Sequence, residues 1–138
     1  MNRLEHLKEI LIVLSEINKR FPILVEGKRD VRSLRTLGME GEILSVNVGK
    51  GIYELCEDIR KRYKKIVVLM DWDTRGDELQ SNITSNLKGH YEEFAPLRDA
   101  LKAITSKETK EVEGLLRLFK KWQEEDEQGI FPIMERLR

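Results

Sequence analysis

The chain has 138 residues, 40 % hydrophobic and 36 % charged, which suits one domain with a sizeable core and a heavily charged surface. Basic and acidic side chains number 25 each and cancel to a formal net charge of zero, so any nucleic-acid contact must come from a local patch. The single Cys56 excludes an internal disulfide framework and a cysteine-based zinc site, and no apolar run reaches membrane-spanning length.

No signal peptide is visible in the charged, amphipathic stretch from Asn2 to Lys8, so a cytoplasmic location is expected. Leu4, Leu7, Leu11, Leu14 and Ile17 or Asn18 follow helical spacing, which predicts an amphipathic N-terminal helix ended by Phe21-Pro22. Pro22 to Val25 is short and apolar, a buried strand, and it runs into Glu26-Gly27-Lys28-Arg29-Asp30. Gly27 lets the chain turn sharply or lets another group approach. A helix bearing Val31, Leu34 and Leu37 follows and stops at Gly38. Asp30 reads as its cap.

Glu42 to Val48 predicts a second strand. The next helix carries Ile52, Leu55, Cys56, Ile59 and Tyr63 on one face, which makes Cys56 a small core residue. Arg60, Lys61, Arg62, Lys64 and Lys65 at its C-terminal end suit the helix dipole; a phosphate-contacting patch is the alternative. Ile66-Val-Val-Leu-Met70 is a third buried strand, closed by Asp71-Trp72-Asp73. Alternation along a strand places Asp71 and Asp73 on one side and Trp72 on the other. After Arg75 to Glu78, a polar helix with a thin apolar face (Leu79, Ile83, Leu87) is expected to be peripheral. His90 to Phe94 reads as a short edge strand, Leu97 to Ile104 as a helix after Pro96, and Val112, Leu115, Leu116, Phe119 and Trp122 as a further helical stripe. Glu124 to Glu127 is a solvated face or loop, and Ile130 to Met134 is apolar enough to pack back on the body. One domain is expected over residues 1–138, with an N-terminal helix at 1–20, a core at 21–115 and a C-terminal helix and tail at 116–138.

Strands alternating with helices predict an α/β fold with a mostly parallel sheet covered on both faces. Ligands bind such sheets at the C-terminal edge of the strands. Glu26 ends the first strand and Asp71 and Asp73 end the third, so three carboxylates converge there if the two strands are neighbours. Hard oxygen ligands of this kind suit magnesium, with manganese as a substitute. A magnesium ion takes one or two protein carboxylates, which leaves one free for proton transfer.

The Glu26-Gly27-Lys28-Arg29-Asp30 turn and the Asp71-Trp72-Asp73 pair, separated by a strand and helices, resemble the two signatures of the Toprim domain. That domain occurs in topoisomerases, DnaG-type primases, OLD-family nucleases, recombination proteins and a 5S-rRNA-maturing ribonuclease. Gly76 fits the glycine that often follows the family's paired aspartates, and Glu111-Val112-Glu113 is similar to a late Val-Glu segment of primase and ribonuclease members. The resemblance covers about Phe21 to Leu115 and implies a Rossmann-like fold. It also implies Glu26 as general acid/base, Asp71 and Asp73 as magnesium ligands, and Gly27, Lys28, Arg75 and Gly76 as substrate- or phosphate-binding residues. The implied chemistry is magnesium-dependent phosphodiester cleavage in DNA or RNA, in a small nuclease or ribonuclease-like protein. The zinc fingers, ATPase domain and tyrosine-bearing cleavage domain of the larger members have no counterpart, which argues against a topoisomerase or complete primase. A non-catalytic module that binds nucleic acid or a protein partner is the alternative. Asp71-Trp72-Asp73-Thr74 also matches the start of haloacid-dehalogenase phosphatases, but there the motif follows the first strand, and Glu26 would be unexplained.

Overall fold

The computed structural model describes residues 2–136, with side chains as far as residue 126. Ten elements follow one another, nine of them labelled here: α1 (Arg3–Asn18), β1 (Ile23–Val25), α2 (Lys28–Thr36), β2 (Ile43–Ser45), α3 (Ile52–Arg62), β3 (Val67–Val68), α4 (Thr74–Ser85), a 3-10 turn at Glu92–Phe94, α5 (Ala95–Thr105) and α6 (Leu115–Arg136). The sheet is parallel, in the order β2-β1-β3. The first strand is therefore central, and Glu26 and Asp71 leave neighbouring strands at the same edge. Among the described residues no helix is long and apolar enough to cross a membrane.

Strand alternation sorts the core into two layers. Ile23, Val25, Val67 and Leu69 face α1, α2, α5 and α6, while Leu24, Ile66, Val68 and Met70 face α3 and α4. The predicted stripe of α1 buries Leu4, Leu7, Leu11 and Leu14. The ambiguous last position resolves to Asn18, whose amide bonds Phe21, Glu42 and Gly41 and so ties the end of α1 to the approaches of β1 and β2. Gly38, at φ +105°, ends α2 in a left-handed turn that side-chain-bearing residues resist. Cys56 is buried against Ile83, as its place on the α3 stripe predicts, and burial pushes its thiol pKa up.

Four expectations are corrected. The polar helix is not peripheral: Ile83, and Leu87 just beyond the helix end, are fully buried, because among the described residues α4 and α3 are the helices that cover this face of the sheet. It also starts earlier, at Thr74, so that Arg75 to Glu78 form its first turn. His90 to Phe94 is not an edge strand; a single ladder-like bond joins the Ile66 N–H to the His90 carbonyl before the chain coils into the 3-10 turn and α5. Trp72 does not oppose the layer of Leu69; it packs in that layer, because strand pairing stops at the bond from Leu69 N–H to Leu24 carbonyl. Beyond that bond, alternation no longer governs. The acidic run continues α6, with Glu124, Glu125 and Asp126 exposed; Glu127 and the Ile130 to Met134 segment lie outside the described side chains.

Candidate functional site

The C-terminal edge is organised by where the backbone donors after β3 go once the sheet releases them. Met70 N–H donates to Gln80 Oε1 at 3.1 Å, and the Gln80 amide donates back to the Val68 carbonyl at 3.0 Å, so one α4 side chain stands in for a missing strand. Asp71 N–H donates to Glu26 Oε2 at 2.8 Å. Trp72 N–H donates to the Lys110 carbonyl at 2.8 Å, and its indole N–H to the Thr109 carbonyl at 2.9 Å. The bond to Glu26 joins the two acidic motifs directly, across 45 residues of sequence.

Glu26 and Asp71 are thus brought together. The Asp71 carboxyl is half-buried and accepts the Val112 N–H at 2.9 Å. Burial, reinforced by the Glu26 carboxylate beside it, raises its pKa from 3.8 to about 7. Asp30, three residues into α2, accepts the Gly27 N–H at 3.1 Å and the Glu113 N–H at 3.1 Å. The first contact is the helix-capping bond expected from the sequence. Burial raises the Asp30 pKa too, with the Glu26 charge adding to it.

Asp73 does not join this hydrogen bond. It is the N-cap of α4 and accepts the Gly76 N–H at 2.6 Å. Gly76 is buried, and a side chain there would collide with the Asp71 carbonyl: an added Cβ would stand 2.0 Å from that oxygen. Lys28 and Arg75 are exposed at the rim, where they line an open cleft of about 690 Å³ together with Glu26, Gly27 and Glu113. Among the described residues, no three His, Cys, Asp or Glu side chains stand together as a metal-binding group. The expected trio of carboxylates is therefore a pair, Glu26 with Asp71, and a neighbouring cap, Asp73.

Two features escaped the sequence reading. Arg98 on α5 is buried and donates to the Met70 carbonyl at 2.9 Å, to the Asp71 carbonyl, and to Asp77 Oδ1 at 2.7 Å. Lys102 binds the other Asp77 oxygen at 2.7 Å, and the two cations hold the Asp77 carboxyl below its usual range. Arg98 shares helical spacing with buried Leu101 and Thr105; a lone arginine on a core stripe was the available signal. The second feature is the 109–114 loop, which closes over the edge through the Val112 and Glu113 amides. The weak likeness at Glu111-Val112-Glu113 falls on this loop. The basic residues at the end of α3 are mostly engaged: Lys61 pairs with Glu57 at 3.0 Å, Lys65 with Glu93, Arg62 with Glu42 at 3.8 Å, and Arg60 caps the Asn86 carbonyl.

The Toprim domain model matches residues 21–107. A UPF0292 protein of Methanosarcina barkeri is 39 % identical over 119 residues, covering 82 % of this chain and 80 % of that one. One from Methanosarcina acetivorans is 37 % identical over 116 residues, covering 82 % and 79 %. A solved structure of a protein from Aquifex aeolicus superposes with a TM-score of 0.61 at 24 % identity, over 76 % of this chain and 94 % of that one, and so shares its fold. With the Glu26 turn and the Asp71 strand end joined at one sheet edge, the chain belongs to the Toprim domain family, among the UPF0292 proteins.

Proposed function

We propose that the chain is a magnesium-dependent phosphodiesterase acting on nucleic acid. Glu26 serves as the proton-transfer group, Asp71 is the principal metal ligand, and Asp73 contributes through the oxygen not used in capping α4. The observation that carries this reading is the fixed pairing of Glu26 with Asp71 across neighbouring strands. The donor set fits a small hard cation. Its ligands are carboxylates, and burial and repulsion have raised the proton affinity of Asp71, a cost that a bound cation relieves. When bound, magnesium would polarise the scissile phosphate and neutralise charge that develops on it.

The chain's own residues supply the rest. Lys28, at the start of α2, and Arg75, in the first turn of α4, present cations to phosphate oxygens at the cleft rim. The amino ends of both helices face the same edge and favour anions there. The backbone bond from Asp71 holds the Glu26 carboxylate in place, so that it can exchange a proton with an attacking or leaving oxygen. Gly76 leaves room for the Asp71 backbone to pass close to α4.

A second reading is a module that binds metal and nucleic acid without turnover. It is favoured by the way both aspartates already accept backbone N–H groups, from Val112 and Gly76. Cleavage of end-labelled structured RNA, single-stranded DNA and duplex DNA, with magnesium, manganese or EDTA, separates the two. Metal-dependent products lost in both Glu26→Gln and Asp71→Asn are expected. Metal binding without products from any substrate would favour the second reading.

A further inference from the structure

A furrow leads away from the Glu26–Asp71 pair along the seam between α2 and α6. The cleft that contains Glu26 shares Arg29 and Glu113 with a second hollow. That hollow shares Thr36 and Leu116 with a third, a groove of about 450 Å³ between α1, the end of α2 and α6. The three hollows adjoin one another in series along α2. Together they run the nine residues of α2, about 13 Å at helical rise, and then onto the groove.

Cations follow the path. Lys28, Arg29 and Arg32 line its first part, and Lys8 and Lys120 line the groove. All five are exposed. Lys28, Arg32, Lys8 and Lys120 make no ion pair among the described residues, and Arg29, 80 % exposed, only approaches Glu113 at 3.9 Å. Glu113 is the one carboxylate of the 109–114 loop on this path, and it stands at the end nearest the acidic pair. The floor changes character along the way. In the groove it is apolar, formed by Leu37, Leu116 and Phe119, with Ile12 exposed at its side.

We propose that this furrow binds single-stranded nucleic acid, with phosphates on the α2 and α6 cations and bases against the apolar groove. The inference rests on the proposed function and names its substrate class. A charged rim over an apolar floor suits a strand whose bases are unpaired and free to leave water. A duplex keeps its bases stacked inside and offers such a floor nothing. The basic end of α3 serves as the control, since helix C-termini lie at the opposite edge of a parallel sheet from Glu26.

The test is fluorescence anisotropy with labelled oligonucleotides, single-stranded DNA, single-stranded RNA and duplex DNA, carried out in EDTA so that neither metal nor turnover enters. Single strands are expected to bind more tightly than duplex, and the DNA and RNA arms identify which is preferred. Arg29→Glu with Arg32→Glu should weaken single-strand binding at least tenfold. Replacing both by Gln should lower the slope of log affinity against log salt by about 1.4, at about 0.7 per phosphate contact on a single strand. Lys61→Glu with Lys64→Glu should change neither. Thermal melts of all variants check that folding is intact. Tighter binding to duplex, binding to no nucleic acid, or greater sensitivity to the α3 pair would each overturn the proposal. Binding as expected without metal-dependent cleavage would leave the furrow standing and refute the nuclease reading alone.

Discussion

Replacing Asp71 by Asn removes the ionisable group while keeping an oxygen that can accept the Val112 N–H. In the folded chain the Asp71 pKa rises from 3.8 to about 7. Between those values the native state holds a proton that the unfolded chain has released, so stability is full below the lower value and falls as pH climbs to the upper one. At about 1.4 kcal/mol for each pH unit, the displacement bounds the effect near 4 kcal/mol. Asp71 is half-exposed and shares its repulsion with Glu26, and solvent screening reduces the effect to about 1–2 kcal/mol. Urea unfolding in EDTA at about pH 5 and about pH 8 measures it. Because the lower pH already stands above 3.8, the wild type should lose about 1 kcal/mol of this between the two conditions, and Asp71→Asn should lose less and be the more stable protein at the higher pH. Magnesium should restore the wild type there by binding the native state, and not the variant. A variant less stable than wild type at the higher pH, or an unchanged pH slope, would show that the Asp71 charge is a structural asset and refute the reasoning.

Gly76→Ala should cost about 2 kcal/mol and weaken metal binding, because the new methyl group displaces the Asp71 backbone; denaturant midpoints and a manganese titration check both parts. Arg98→Met leaves the Met70 and Asp71 carbonyls without their donor and Asp77 with Lys102 alone, a loss of about 3 kcal/mol readable as a lower melting temperature. Gln80→Leu strips the partner from the Met70 N–H and the Val68 carbonyl. It should cost about 2 kcal/mol and speed amide exchange at Met70.

The parts of this protein legible in its sequence are those governed by short-range rules. Apolar runs ending in charge located β1 and the strand before Asp71, and helical spacing located α1, α2 and α3. Asp30 was readable as a cap because capping acts over three residues. The joining of Glu26 to Asp71 was readable only on the condition that their strands are neighbours, which the order β2-β1-β3 supplies. The illegible parts depend on where the sheet ends. Pairing stops at Leu69, and the next three N–H groups are taken by Gln80, Glu26 and Lys110, from three separate segments. No local pattern encodes that division, so the orientation of Trp72 and the separate placing of Asp73 were beyond a strand rule. The burial of α4 was hidden for a related reason. Its few apolar residues cover a face that, among the described residues, it shares with α3, and a thin stripe suffices there.

On the proposed reading Asp71, with help from Asp73, holds a divalent cation at the sheet edge where Glu26 is poised for proton transfer. Electron paramagnetic resonance titration of free manganese against the wild type, Glu26→Gln, Asp71→Asn and Asp73→Asn tests it without requiring a substrate. Saturable binding is expected for the wild type, with loss in Asp71→Asn, a smaller decrease in Asp73→Asn and retention in Glu26→Gln. Undiminished binding in Asp71→Asn, or binding lost in Glu26→Gln while Asp71→Asn still binds, would contradict that reading.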